Sequence, residues 1–180
     1  MLSLWPSAEP VVVKQEGLVL REWVSRDVPA LVELFGTSEM DRRTPYPSPF
    51  NEEAAGSYLS SAHDMRKQWG ALQLAITEDG EVPLGEVVIF PTDVAGQVEM
   101  AYGVGAQHGG RGLARRAVGV ALDLARKGGA VSAILHIAVD NTASHRVAQA
   151  TGFALQNDRE LIVRRRKGQI VQLAVWQRTV

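Results

Sequence analysis

The sequence AQHGGRGLARRAV, residues 106–118, decides how the fold of this chain is interpreted. Three glycines, Gly109, Gly110 and Gly112, stand between an apolar strand pattern and a helical pattern. Glycine tolerates a positive φ and lets the backbone approach a ligand closely. Because the first amides of a helix lack partners and the helix dipole favours an anion there, such a junction is either a simple turn or a phosphate site.

Two common nucleotide-binding patterns fit this loop poorly. The chain contains no G-x-x-x-x-G-K-[ST] stretch. The pattern G-x-G-x-x-G fails twice, because His108 and Arg115 occupy the positions of its third glycine. Asp123 falls inside the predicted helix, whereas ribose recognition requires an acid at the end of a strand. A nucleotide-binding protein is therefore a weak alternative.

The composition limits the classes of protein that the chain can represent. Its 180 residues suit a single domain over residues 1–180, with residues 1–10 as a flexible arm. A net charge of −1 gives no general attraction to nucleic acid or to a membrane. The chain has no cysteine, and its four histidines show no ligand spacing, so no metal is expected. Without a signal peptide or a long apolar run, a cytoplasmic protein is expected.

Outside the loop, strand and helix patterns alternate along the chain. Strands are predicted at residues 11–13, 18–23, 71–77, 85–90, 97–104, 131–139, 160–165 and 169–176, and helices at 25–36, 51–68, 113–127 and 141–151. Ser25 is the predicted N-cap of the first helix. The segment 37–50 carries three prolines and is predicted to be mostly loop, at least after Arg43. This order predicts a mixed α/β or α+β domain with one crossover helix.

Three sequence blocks resemble the GNAT N-acetyltransferase superfamily. Q-x-x-G-x-G at residues 107–112 closely resembles its acyl-CoA-binding signature, and N-x-x-S at 141–144 with G-F at 152–153 is similar to a second block of the family. Together with EMAYGV at 99–104, they resemble the branch that includes bacterial ribosomal-protein N-terminal acetyltransferases (RimJ/RimL-like). The resemblance covers roughly residues 10–180.

The resemblance implies an α+β fold and a site for acetyl-CoA. The implied sheet is twisted and mostly antiparallel, with about seven strands flanked by about four helices. Its strands at 97–104 and 131–139 run parallel and then diverge, so that the pantetheine arm lies between them and the pyrophosphate meets the glycine loop. Arg115 is a possible phosphate partner, or else part of a solvated helix face. The implied cofactor-binding residues are Tyr102, Gly103, Val104, Gln107, His108, Gly109, Gly110, Arg111, Gly112, Leu113, Ala114 and Asn141.

The implied reaction is direct transfer of an acetyl group from acetyl-CoA to a primary amine. No covalent nucleophile is needed when both substrates share one site. Glu99 is the candidate general base. The alternative is that Glu99 is a half-exposed strand residue without a catalytic role. Many GNAT enzymes use a tyrosine four residues before the glycine of the G-F pair, where this chain has Ala148. Ser144 is therefore the candidate that returns a proton to sulfur, unless it only caps the helix.

The sequence does not identify the amine that accepts the acetyl group. Residues 37–50 and the C-terminal hairpin are expected to build its pocket, with Tyr46, Phe50 and Trp69 as candidate lining. The acceptor is a protein or peptide N-terminal α-amine, with a ribosomal protein as one possible partner, or a small-molecule amine. A homodimer is plausible from the resemblance. An acyl-CoA-binding module without turnover is the first alternative, because Ala148 replaces the usual tyrosine.

Two further features are interpreted as structural. His136 lies in an apolar strand and is expected to be a core residue. The basic run at residues 164–167 is expected to be a solvated hairpin turn, with an acidic acceptor or ribosomal RNA as a minor hypothesis.

Overall fold

The structure is a computed structural model that describes residues 9–180. Its strands are β1 (Val12–Gln15), β2 (Leu18–Glu22), β3 (Leu72–Thr77), β4 (Gly85–Pro91), β5 (Gln97–Val104), β6 (Ser132–Ala138), β7 (Ala154–Leu155), β8 (Ile162–Arg166) and β9 (Gln169–Thr179). Its helices are α1 (Val28–Phe35), α2 (Ser38–Arg43), α3 (Glu52–Trp69), α4 (Leu113–Lys127) and α5 (Thr142–Ala150). Most of the arm predicted for residues 1–10 lies outside the described residues.

All nine strands belong to one sheet, in the order β1-β2-β3-β4-β5-β6-β9-β7, with β8 paired to β9. Every neighbouring pair is antiparallel except β5 and β6. That pair runs in parallel register from Gln97↔Ser132 to Met100↔Leu135 and then separates. Residues 101–104 of β5 therefore have no strand partner on their β6 side. The predicted α+β sheet with a splayed parallel pair is confirmed.

Two apolar clusters cover opposite faces of this sheet. Val87 and Ile89 of β4 belong to a large cluster that α4 completes. Glu86, which precedes Val87, instead contacts Tyr58, beside the smaller cluster built around α1 and α3. Because successive strand residues point to opposite faces, the two clusters lie on either side of the sheet. The smaller cluster, with Phe35 at its centre, closes one side of the cavity described below.

The structure corrects several local predictions. The described chain has nine strands and five helices, rather than about seven and about four. Ser25 does not cap α1: a 3-10 turn covers Ser25–Asp27, and the Asp27 carboxylate accepts a hydrogen bond from the Val24 amide at 2.9 Å. Helix α3 is capped by Asn51, whose side chain accepts a hydrogen bond from the Ala54 amide at 2.9 Å.

Among residues 9–180, none of the helices is long and apolar enough to cross a bilayer. The same residues hold no group of three or more His, Cys, Asp or Glu side chains able to bind a metal ion.

Candidate active site

A cavity of about 280 Å³ opens where β5 and β6 separate. Its floor comes from alternate residues of β4, since every second side chain of a strand points to the same face, and from the consecutive residues 99–103 of β5 and 135–138 of β6, where the two strands separate. Its walls come from α1, α2 and the segment after α2, from the start of α5, and from β8. The polar side chains that line it are Arg43, Thr44, Tyr46, Glu86, Glu99, Tyr102, His136, Asn141, Ser144, Arg164 and Arg166.

Glu99 and His136 form a hydrogen-bonded pair in this cavity. The His136 Nδ1 lies 2.8 Å from the Glu99 Oε1. A carboxylate can only accept, so Nδ1 carries the proton and Nε2 keeps its lone pair. Burial tends to raise the pKa of Glu99, but the hydrogen bond from His136 and the nearby charge of Arg164 lower it overall. The carboxylate is therefore held ionised beside the imidazole.

His136 was expected to be a core residue, and its strand does run through the core. Its neighbours Leu135 and Ile137 are buried in the large cluster. His136 itself points to the other face and lines the cavity, with its side chain 11 % exposed. The alternation of side chains along a strand could have suggested this placement, but the parallel register that brings it to Glu99 could not be read from the sequence.

The start of α5 brings two polar side chains, Asn141 and Ser144, to the same cavity, where Tyr102 of β5 contacts Ser144. The Asn141 side chain caps the helix by accepting from the Ser144 amide at 3.2 Å. The cap is thus Asn141, and the Ser144 hydroxyl has no hydrogen bond to another residue of the described chain. The Tyr102 hydroxyl donates to the Ser144 carbonyl oxygen at 2.9 Å, and burial raises the pKa of Tyr102 to about 12. Tyr102 is thus a neutral donor that fixes α5 against β5.

The glycine loop leaves a row of backbone amides open at the start of α4. Gly110 and Gly112 adopt φ values of +76° and +70°, which favour glycine, and a Cβ on either would meet nothing within 4 Å. The first helical bond runs from the Arg116 amide to the Gly112 carbonyl oxygen at 3.0 Å. Within the described chain, the amides of residues 110–115 have no acceptor. An anion that approaches this end of α4 meets unpaired donors.

Side chains of the loop are already engaged with acids. The Arg111 Nη2 lies 2.5 Å from the Glu78 carboxylate, and Arg116 lies 3.3 Å from it. The Gln107 Nε2 donates to the Glu33 carboxylate at 3.2 Å. Phosphate binding by Arg111 thus competes with Glu78.

A buried carboxylate closes the deep end of the cavity. Glu86 is 3 % exposed and accepts hydrogen bonds from Trp23 Nε1 at 2.8 Å, from Tyr46 at 2.9 Å and from Tyr58. Burial raises the pKa of Glu86, although the three donors act in the opposite direction. Tyr46 stacks on Phe35 with ring centroids 4.9 Å apart. The deep end therefore lies among aromatic side chains, three of which donate hydrogen bonds to Glu86.

Both segments that were predicted to build the acceptor pocket line the cavity, but only one of the three predicted aromatic residues does. Residues 43–46 and the β8–β9 hairpin both line the cavity, and so does Tyr46. Phe50 is buried in the smaller cluster, and Trp69 is 56 % exposed at the end of α3, so neither lines it.

Residues 164–167 form more than a solvated turn, because Arg164 and Arg166 face the cavity. The two-residue spacing of these arginines on a strand was the signal that could have found them.

The arrangement of loop and cleft fits the predicted acetyl-CoA. Open amides at the start of α4 suit a pyrophosphate, and the unpaired edge of residues 101–104 suits an amide-bearing arm that ends in the cavity. When bound, acetyl-CoA supplies the activated acetyl group. The roles predicted for the individual loop residues stay predictions.

Solved structures of known proteins share this fold. The chain matches the ribosomal L7/L12 α-N-protein acetyltransferase RimL with 17 % identity and a TM-score of 0.80, over 95 % of both chains. It matches RimJ from Mycobacterium smegmatis, solved with a CoA disulfide, with 20 % identity and a TM-score of 0.79, over 100 % of this chain and 90 % of that one. It matches the microcin C7 self-immunity acetyltransferase MccE, solved with acetyl-CoA and AMP, with 18 % identity and a TM-score of 0.79, over 99 % of both.

The sequence itself identifies the family. Comparison with curated proteins found no match. Residues 17–154, however, match the family described as acetyltransferase (GNAT) domain, which confirms the predicted resemblance. That region contains the splayed strands, the glycine loop and α5. The chain therefore belongs to the GNAT family of acetyltransferases, which use acetyl-CoA.

Proposed function

We propose that this acetyltransferase transfers the acetyl group directly to a primary amine held in the cavity between β5 and β6. The observation that carries the proposal is the Glu99–His136 pair, which lines the same cavity as the Ser144 hydroxyl. A base and a proton donor near one cleft are what direct aminolysis of a thioester requires. No covalent nucleophile takes part, in keeping with a chain that has no cysteine.

Glu99 and His136 act together as the base. An acceptor amine arrives as an ammonium and must lose one proton before its nitrogen attacks. A carboxylate whose pKa is lowered holds that proton poorly on its own. With Nδ1–H donated to Glu99, the His136 Nε2 accepts the proton, and the carboxylate stabilises the resulting imidazolium.

Ser144 returns a proton to the sulfur that leaves. Its hydroxyl then regains a proton from solvent, to which the His136 imidazolium releases the one it took from the amine. Its hydroxyl is free of other partners within the described chain, and it lies in the first turn of α5. The helix dipole there favours developing negative charge. Tyr102 does not serve as this donor, because its hydroxyl already donates to the Ser144 carbonyl oxygen.

Substitution of the pair tests this mechanism. We expect Glu99→Gln and His136→Gln each to lower kcat by about 100-fold or more, which is the usual contribution of a general base. CoA affinity, measured by thermal shift, should stay the same, because neither side chain belongs to the glycine loop. Thiol release from acetyl-CoA with a panel of primary amines measures turnover.

His63→Gln is the matched control, because His63 is exposed on α3 and lies outside the cavity. A fall in kcat for Glu99→Gln alone would assign the base to Glu99 and remove His136 from the proton path. Unchanged kcat in both variants would overturn the proposed base. CoA binding without release of thiol by any amine would favour the acyl-CoA-binding module.

The acceptor is either the α-amine of a protein or peptide N-terminus or the amine of a small molecule. RimL is described as an acetyltransferase of ribosomal L7/L12, and by analogy a ribosomal protein is a candidate partner of this chain. A cytoplasmic location and a single domain stay predictions.

A further inference from the structure

Three guanidinium groups lie around the mouth of the cavity. Arg43 ends α2, and Arg164 and Arg166 lie two residues apart on β8. Side chains two apart on a strand share a face, so β8 directs both arginines to the cavity while Arg165 points away. The strand thus presents two positive charges side by side on the cavity face.

Neither of the two β8 arginines forms an ion pair with an acid of the described chain, although the charge of Arg164 acts on Glu99. Arg43 is neutralised by Glu39 at 3.0 Å and by Asp140 at 2.7 Å. In contrast, neither Arg164 nor Arg166 forms an ion pair with any residue of the described range 9–180; Arg166 donates only to the Arg43 carbonyl oxygen. Burial, together with the charge of Arg164, lowers the pKa of Arg166, as expected for a cation without a counter-ion.

The acids of the cavity do not fill this role. Glu99 lies within reach of the charge of Arg164 but forms its hydrogen bond with His136, at 2.8 Å, and Glu86 is enclosed by three donors at the deep end. The mouth therefore carries an excess of positive charge. Arg164 is exposed and Arg166 is half-buried, so an anion that pairs with Arg166 gains more than it would in open solvent.

We propose that the acceptor carries an anionic group, a carboxylate or a phosphate, close to its amine, and that Arg164 and Arg166 bind it. This inference rests on the proposed function, since it assigns the chemistry of the acceptor to the same cavity. Guanidinium groups bind both oxyanions with paired hydrogen bonds, so the two sources share one recognition chemistry.

The short distance between Arg164 and His136 implies that the amine and the anionic group of the acceptor lie close together. The Arg164 Nη2 lies 3.4 Å from the His136 Nδ1, so the cation and the base are direct neighbours. An amine at the Glu99–His136 pair thus has its anionic group within a few bonds. A cavity of about 280 Å³, which also receives the acetyl end of the donor, suits a small amine or the first residue of a chain.

Matched amine pairs test the inference with the whole chain. One arm compares α-amino acids with their carboxamides, and the other compares phosphoethanolamine with ethanolamine. We expect kcat/KM to favour the anionic member of at least one pair by about 10- to 100-fold, the range typical of a hydrogen bond to a charged group. Arg164→Gln and Arg166→Gln should each reduce that preference about 10-fold or more, mainly through KM.

Arg165→Gln is the matched control, because it removes the same charge from the opposite face of β8 and should preserve the preference. The arm that shows the preference identifies carboxylate or phosphate as the anion. Equal kcat/KM for both members of every pair would overturn the inference while leaving the acetyltransferase activity in place. A preference that survives Arg164→Gln and Arg166→Gln would also overturn it. No turnover of any amine would overturn both this inference and the proposed function.

Discussion

At the scale of single residues, Glu86 should make stability depend on pH. Burial raises its pKa in the folded chain. Its contribution to stability is then fully present below the unfolded pKa of about 4.3 and is lost as the pH rises through the folded value. We therefore expect the Tm difference, variant Glu86→Gln minus unmodified chain, to become more positive as the pH rises from about 4 to 8. Each kcal/mol corresponds to about 2–4 °C.

Thermal unfolding in a series of buffers measures this difference. Glu52→Gln, on the exposed first turn of α3, controls for the loss of one negative charge. In Glu86→Gln, the amide oxygen of the new side chain can still accept from Trp23 and Tyr58, so the fold should be kept. A Tm difference that is constant over the whole pH range would show that Glu86 does not titrate abnormally.

The resemblance to the family indicated part of the candidate site. Glu99 and Ser144 stand out because they are polar groups at positions set by nearby motifs. His136 could not be assigned, because its proximity to Glu99 depends on the register of two strands that are far apart in sequence. Arg164 looked like part of a charged turn, since a count of charges does not show which face each side chain occupies.

At the scale of elements, the bidentate Arg21–Asp27 pair joins β2 to the start of α1. Arg21 donates to both carboxylate oxygens of Asp27, at 2.7 and 2.9 Å, and also to the Gly80 and Glu81 carbonyl oxygens. Both side chains are at most 9 % exposed. Because Asp27→Ala leaves a buried guanidinium without a counter-ion, we expect it to lower the free energy of unfolding by about 3–5 kcal/mol.

Urea denaturation measures this loss, and a neighbouring pair supplies the control. Arg26 contacts Glu81 at 2.7 Å, but both side chains are more than 60 % exposed. Arg26→Gln should cost about 0–1 kcal/mol, as exposed pairs do. If Asp27→Ala were no more costly than Arg26→Gln, the buried pair would not hold β2 and α1 together.

Elements with a strong periodic pattern were predictable, and short ones were not. The meander β3–β5 and helix α4 follow clear alternation or helical spacing. Helix α2 has six residues and no buried side chain, so no apolar pattern marks it. Strand β7 has only two residues and exists because β9 lies beside it. Tertiary pairing, rather than local propensity, specifies such elements.

At the scale of the whole molecule, α4 links the cofactor site to the core. Its N-terminus carries the open amides of the glycine loop, and its apolar face, which includes Val118 and Ala121, packs into the large cluster under β4 and β5. Those strands also carry Glu99 and Glu86 into the cavity. Binding of CoA at the loop should therefore stabilise the fold that positions the base.

Glycines at the two ends of α4 allow this coupling to be tested. Gly110 and Gly129 have φ values of +76° and +90°, and a Cβ on either meets nothing within 4 Å. Alanine at each position should thus lower the stability of the free protein by a similar amount, about 1–2 kcal/mol. Only Gly110→Ala places a methyl group among the open amides; Gly129 lies beyond the other end of α4, roughly 20 Å away.

CoA at about 100 times its Kd should add about 2.7 kcal/mol to the free energy of unfolding of the unmodified chain. We expect Gly129→Ala to keep this gain and Gly110→Ala, at the same CoA concentration, to keep only about half of it, which corresponds to a Kd about 10-fold weaker. Thermal unfolding with and without CoA gives both values. A full gain in Gly110→Ala, or equal losses in the two variants, would mean that the pyrophosphate does not bind the amides at the start of α4.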